Sequence, residues 1–258
     1  MGRLQRWWWR YRVRRSWIPE PRWQRCLAQL PVLAQLSDNE LTHLRELTGL
    51  LLRGKGFVGA GGLQLDDDMR VVLAAQACLL ILNLGLDWYD GWHEVIVYPD
   101  TFVVEHEEHD AAGVVHESRR ALEGESWHRG PLILSWAGAR PGGYPHDPGS
   151  NVVLHEFAHK LDMRNGAANG MPPLHRDMVR EAWTRAWSRA YDDFCRQVDQ
   201  SYETHIDPYA AESPAEFFAV LSEVFFTVPQ RLNRQYPEVY EQLVLFYRQD
   251  PLQRSGVA

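Results

Sequence analysis

A mostly helical α+β domain with a small sheet beside one metal-binding helix is the fold this chain predicts, and three observations carry it. Long segments repeat apolar residues at helical spacing behind recognisable N-caps. Short apolar runs cluster between His93 and Trp136, where the helical period is lost. A histidine pair four residues apart, His155 and His159, sits in an apolar segment directly after that cluster. With 258 residues, 45% of them apolar and 24% charged, the chain can bury a substantial core and is not expected to be disordered. Residues 1–23 read as a basic Arg/Trp-rich leader, and 24–258 as one domain whose first portion, to about residue 90, is helical.

Taken in order, Pro19 and Pro21 separate the leader from the helical region. Ser37-Asp38-Asn39-Glu40 has the capping-box pattern, followed by Leu41, Leu44, Leu47 and Leu51 at helical spacing. The glycine-rich stretch 54–62 lacks the ending of a phosphate-binding loop and reads as a flexible turn. Asp66, Asp67 and Asp68 open a buried helix, their charges complementing its dipole. Short strands are expected at Val95–Tyr98, Phe102–Val104 and Leu132–Leu134. The tract His106-Glu107-Glu108-His109 between them has the wrong spacing for a helical metal box and reads as an exposed hairpin tip. A Gly/Pro-rich segment, 137–149, leads to the histidine helix; helices near 176–198, 214–227 and 237–248 complete the chain.

Charge and cysteines exclude several function classes. The leader holds seven arginines against one glutamate, so a chain at −7 overall is −13 beyond residue 23. An acidic body argues against nucleic acid as the main ligand, and the Arg3–Arg15 segment with Trp7, Trp8 and Trp9 is expected to dock on the protein's own surface. Eleven tryptophans point to thick aromatic packing. Cys26, Cys78 and Cys195 are odd in number and far apart, which suits a reducing cytoplasm and no disulfide framework. The apolar run Val71–Leu86 is interrupted by Gln76 and Asn83 and falls short of the about 20 residues that span a bilayer. No transmembrane segment or signal peptide is expected.

His155-Glu156-Phe157-Ala158-His159 is an HExxH motif. On a helix its histidines share one face and can reach one metal ion. Glu156, beside the first of them, is placed to hold a water at the metal as general base. The letters alone occur by chance in many helices, but the context here fits. Val152, Val153 and Leu154 form an apolar lead-in, Ser150 or Asn151 is available as N-cap, and Asn165-Gly166 is a stop signal. Strand, loop and HExxH helix is also the order found in zincin peptidases, where an edge strand pairs with substrate backbone.

A catalytic zinc takes three protein ligands. Downstream candidates are Asp162, His175, Glu181, His205, Asp207, Glu212, Glu216 and Glu223. Asp162, one turn past His159, has a short arm better suited to fixing an imidazole tautomer from behind. Glu216 is the strongest candidate, on a helix that buries Phe217, Val220, Leu221 and Val224. Ser213-Pro214-Ala215-Glu216 is, however, also a capping box with Pro at the first helical position. Spacing leaves ligand and cap equally open, with Glu223 in reserve.

At these residues the chain resembles the Mlc titration factor A family of zinc-dependent peptidases. The matching stretches are Ile96–Pro99, Gly130–Trp136, Asn151–Asp162 and Ser213–Glu223, and the similarity runs from about Leu30 onwards, leaving the leader outside. Tyr209 followed by Glu216-Phe217-Phe218-Ala219 also resembles the catalytic domain of anthrax lethal factor, another gluzincin. The resemblance implies a zincin-like metallopeptidase fold and one zinc per chain held by His155, His159 and Glu216. It implies Glu156 as general base and Tyr209 as a transition-state donor. It further implies aminopeptidase-like hydrolysis of peptide substrates and binding of the glucose repressor Mlc or a similar transcription repressor. The rival reading is a regulatory binding module on a zincin scaffold with weak or secondary peptidase activity. A scaffold without turnover is disfavoured by the intact Glu156.

Overall fold

The computed structural model describes residues 18–109, 115–122, 124–126, 130–141 and 148–254, with backbone alone between 102 and 126. The Arg/Trp segment up to Trp17 lies outside the described residues. The chain enters on α1 (Glu20–Gln29), where Arg45 clamps the Ile18 carbonyl and the Glu20 carboxylate. Helix α2 (Asp38–Gly54) starts at the anticipated box. Ser37 Oγ accepts the Glu40 N–H, and the Glu40 carboxylate returns to Ser37 N at 2.9 Å.

Strand β1 (Gly56–Gly59) follows, so the glycine-rich 54–62 stretch is not only the flexible turn that its composition suggests. Phe57 is buried there, and Gly56 N and Ala60 N donate to His93 and Val97 carbonyls. Tertiary pairing overrides the weak strand preference of glycine. Gly59 is required by a close approach: a Cβ at this position would lie 2.0 Å from the Leu63 carbonyl oxygen.

Helix α3 (Asp67–Leu80), capped by Asp66, is buried along its whole length from Val71, as its apolar run predicts. Strand β2 (Glu94–Tyr98) alternates between buried Val95 and Val97 and more exposed neighbours. Then come β3 (Phe102–His109), β4 (Val115–Leu122), β5 (Gly124–Ser126) and β6 (Leu132–Ser135). The main sheet has the order β1-β2-β6-β5, with β5 antiparallel and the other pairs parallel. β3 and β4 form a separate antiparallel ribbon, and the tract 106–109 lies on the last part of β3, before the 110–114 connection.

Beyond β6 lie the short α4 (Trp136–Ala139), the HExxH helix α5 (Val152–Asp162), α6 (Arg180–Asp199), α7 (Pro214–Thr227), α8 (Pro229–Gln235), α9 (Pro237–Tyr247) and α10 (Pro251–Arg254). The last four begin at proline, whose missing N–H is no loss in the first turn. The mostly helical α+β architecture with a small sheet stands as predicted.

The tryptophans explain how α7 is oriented. Trp183 and Trp187, one turn apart on α6, stack at 4.9 Å between ring centroids and press on Phe217 and Phe218 of α7. Burying one such side chain contributes about 1.5–3 kcal/mol, more than the ~1 kcal/mol of an N-cap. The aromatic face, not the cap, therefore sets the rotation of α7, and the faces left over carry Glu216 and Glu223 towards α5.

Candidate metal centre

Helix α5 starts where Asn151 accepts the Leu154 N–H at 3.0 Å, which selects Asn151 over Ser150 as the N-cap. The cap is held from behind. Asn151 Nδ2 donates to Gln76 Oε1 at 2.8 Å, and its backbone N–H donates to Glu223 Oε2. Gln76 reads in sequence as a break in an apolar run; in the fold it is the buried polar group that orients this helix start. Val153, Leu154, Phe157, Ala158 and Leu161 fill the core, and this leaves His155, Glu156 and His159 towards α7 and the site.

The two imidazoles converge with Glu216. His155 Nε2 lies 2.9 Å from Glu216 Oε2 and 3.1 Å from His159 Nε2, and His159 Nε2 lies 3.3 Å from the same carboxylate oxygen. Donors about 2.0–2.1 Å from a tetrahedral ion would stand roughly 3.3 Å apart, so the triangle has the size of three corners around one metal. Among the described residues these three are the group able to hold an ion. Two imidazoles and one carboxylate form a donor set suited to zinc, and three carboxylates around two histidines favour a divalent cation.

Of the two roles that spacing left open for Glu216, its side chain takes the position facing the histidines, and only the serine half of the capping box forms. Its backbone N–H donates to Ser213 Oγ at 3.2 Å, which completes the cap, while its carboxylate faces the histidines. Glu223, two turns further along, accepts from Nδ1 of His155 at 2.7 Å. In a neutral ring this holds the proton on Nδ1 and turns the Nε2 lone pair towards the centre. Glu223 therefore does for His155 what the spacing assigned to Asp162. Asp162 instead accepts the backbone N–H groups of Asn169 and Gly170, both at 2.7 Å. His175 donates to the Phe246 carbonyl, and Asp207 caps its own turn. Neither joins the centre; of the downstream candidates, Glu216 and Glu223 hydrogen bond to the HExxH histidines.

Burial pushes the Glu156 carboxyl up to about 7, against the pull of the His155 and His159 imidazoles. Its Oε2 is buried and makes no hydrogen bond among the described residues; the same is true of His159 Nδ1. Burial also pushes the Glu216 carboxyl up, but hydrogen bonds from His155 and His159 reverse this and hold it well below the usual carboxylate range. His155 is driven down by burial and, more strongly, up by Glu216 and Glu223, so it ends well above an ordinary imidazole. Tyr209 stands on the turn Pro208–Ala211, with its ring centroid 6.1 Å from that of His155.

Sequence reasoning missed Lys160. It is buried one turn beyond Glu156, donates to the Gly130 carbonyl at 3.0 Å ahead of β6, and lies over the Trp92 ring. Burial lowers its ammonium to about 8. A buried lysine between His159 and Leu161 gives no periodic signal of its partners.

The family model of the glucose-regulated metallo-peptidase M90 matches residues 5–248. It takes in most of the Arg/Trp leader, which the motif resemblance left outside. The chain is 40% identical over 235 residues to Mlc titration factor A of Klebsiella pneumoniae, covering 90% of this chain and 87% of that protein. It is 40% identical over 237 residues to the proteins of the same name from Yersinia enterocolitica and Yersinia pestis, covering 90% of this chain and 86% of each relative. With the fold, the donor triangle and these matches in agreement, the chain belongs to the glucose-regulated metallo-peptidase M90 family.

Proposed function

We propose that this protein is a zinc-dependent peptidase that removes N-terminal residues from peptides, with zinc on His155, His159 and Glu216. One observation carries the reading: a buried carboxyl oxygen, Glu156 Oε2, lies without a hydrogen bond among the described residues, beside two imidazoles that meet a third donor. Zinc, when bound, supplies the Lewis acidity that makes a water nucleophilic at neutral pH and polarises the scissile carbonyl. Glu156 accepts the proton of the attacking water and returns it to the leaving amine. The Tyr209 phenol donates to the oxygen on which negative charge develops. Glu223 keeps His155 in the tautomer with Nε2 free.

Aminopeptidase-like specificity rests on the resemblance to Mlc titration factor A proteins, and Glu212 or Asp207, on either side of Tyr209 in the sequence, would be the acidic group that meets the substrate ammonium. The relatives' name supports a transcription repressor of the Mlc type as a protein partner. Three free cysteines agree with a cytoplasmic site of action, and among the described residues no helix is long and apolar enough to cross a membrane.

The test is metal analysis together with hydrolysis of aminoacyl chromogens and their N-acetylated counterparts. About one zinc per chain and turnover of the free-amine substrates alone, abolished by a chelator, is expected. Glu156→Gln should keep fold and zinc while turnover falls roughly 10²-fold or more. Tyr209→Phe should keep the metal and lower mainly kcat. A wild type without stoichiometric metal, or undiminished turnover in Glu156→Gln, would overturn the proposal.

A further inference from the structure

The HExxH helix ends at Asp162, and the next helix to touch the centre begins at Pro214, fifty-two positions later. What fixes the gap between them is a short loop. Asp162 is wholly buried, and its Oδ2 accepts two successive backbone N–H groups, from Asn169 and Gly170. Asn165 Nδ2 donates to the Met171 carbonyl at 2.9 Å, and Met171 N donates to Asn169 Oδ1 at 3.0 Å, bracing the loop from within. The loop in turn rests on α7. Gly170 has φ +75, and a Cβ on it would lie 2.3 Å from the Pro214 carbonyl oxygen and 2.8 Å from its carbonyl carbon. Pro214 is the first residue of α7, two positions before Glu216.

The geometry points to Asp162 and Gly170 as positioning residues that set the distance of Glu216 from His155 and His159, and so tune the affinity for the metal without touching it. The inference rests on the reading of those three residues as ligands. The physical reason is that the contact is backbone against backbone. Neither the Gly170 Cα nor the Pro214 carbonyl has rotamers with which to yield, so any added atom must move the helix start. The Asp162 carboxylate is the anchor on the other side: without its two bonds the loop loses its register on the end of α5, and Gly170 no longer stops α7. A displacement of a few tenths of an ångström matters because three donors must close on one ion at nearly fixed distances.

Four variants of the full chain test this, read by cobalt(II) affinity, the visible d–d absorption of the bound cobalt, and the thermal midpoint of the metal-free protein. Asp162→Ala removes the anchor; Asp162→Asn keeps a carbonyl oxygen able to accept both N–H groups. Gly170→Ala places a methyl against Pro214. Gly166→Ala, in the same loop at φ +144, strains the backbone at least as much but meets nothing within 4 Å. Asp162→Ala and Gly170→Ala should weaken cobalt binding by roughly 10–100-fold, as loss of a residue that orients a ligand does, and diminish the tetrahedral absorption. Asp162→Asn should restore both, and Gly166→Ala should lose thermal stability yet keep the wild-type spectrum.

If affinity simply follows the metal-free midpoint across the four, or if Asp162→Ala and Gly170→Ala bind cobalt like the wild type, the loop does not position the ligand. Should Gly170→Ala fail to fold, the Asp162 pair decides by the same criterion. A wild type that takes up no cobalt defeats the ligand reading itself, whereas normal wild-type uptake with unaffected variants defeats only this inference.

Discussion

Two helices of this protein begin with the same four-residue device and use it differently. At the start of α2, Ser37 Oγ accepts the Glu40 N–H, and the Glu40 carboxylate folds back onto Ser37 N and Oγ at 2.9 and 2.8 Å. At the start of α7, Ser213 Oγ accepts the Glu216 N–H in the same way, but the Glu216 carboxylate turns to His155 and His159. A capping box has two separable halves. The serine half satisfies a backbone donor that no helix can satisfy itself. At α7 the glutamate half is given up, because a stronger electrostatic partner claims the side chain. Two imidazoles in a buried site are such a partner; solvent and Arg254 at the edge of α2 are not.

The largest effect expected from breaking this contrast is at the two glutamates. Glu216→Gln should lower metal affinity and activity by more than the about 10–100-fold typical of losing a group behind a ligand, since a neutral amide is a poor donor to a divalent ion. Titration with a competing chelator dye checks it; near-normal affinity would make Glu216 a cap and nothing more. Next comes Glu223→Gln. It keeps an acceptor for His155 Nδ1 but lets the amide take the other orientation, and a loss within that same 10–100-fold range is expected, with the metal still stoichiometric at saturation. If Glu223→Gln abolishes binding while Glu216→Gln does not, the third ligand is two turns down the helix.

The serines should behave alike where the glutamates do not. Ser37→Ala and Ser213→Ala each remove one cap acceptor and should each cost about 1 kcal/mol in urea unfolding, with metal binding retained in both. A metal defect confined to Ser213→Ala would mean that the cap also aims Glu216, and the two halves of the box would not be separable there.

Much of this was legible before any coordinates, and the residues show why. The helices at 38–54, 67–80 and 214–227 announce themselves through caps and apolar period, signals that are local. Strand β1 was not legible because Gly56 and Gly59 carry no strand preference; its pairing with β2 depends on residues some forty positions away. Helical spacing alone singles out His155, Glu156 and His159 as a motif, whereas for Glu216 spacing leaves ligand and cap open and only the resemblance chooses between them. Glu223 as the partner of His155, and Gln76 as that of Asn151, lie 68 and 75 positions from the groups they hold. No spacing rule reaches so far. Asp162 shows the converse failure: correct in face and distance for an imidazole, it is taken by two backbone donors that helical periodicity cannot see.

The smallest effect lies at Glu40, and its pH dependence sharpens the comparison most. Glu40 is tied to Ser37 through one oxygen and to Arg254 through the other. Burial pushes its carboxyl up, but the Ser37 hydrogen bonds and then Arg254 win, so it titrates below its ordinary value of 4.5. A carboxyl depressed by folding stabilises the protein above its unfolded pKa and loses that contribution as pH falls through the folded one. Glu40→Gln keeps the carbonyl that reaches Ser37 N and loses only the charge of a partly exposed pair with Arg254. The expected cost is therefore about 0.5 kcal/mol at neutral pH, shrinking towards nothing well below pH 4.5, where Glu40 itself is protonated. Urea unfolding of both proteins at pH 7 and near pH 3 measures the difference. A penalty that persists unchanged in acid would place the contribution of Glu40 in shape and hydrogen bonding rather than charge, and the glutamate half of the box would then be worth more than the α7 start, which dispenses with it, implies.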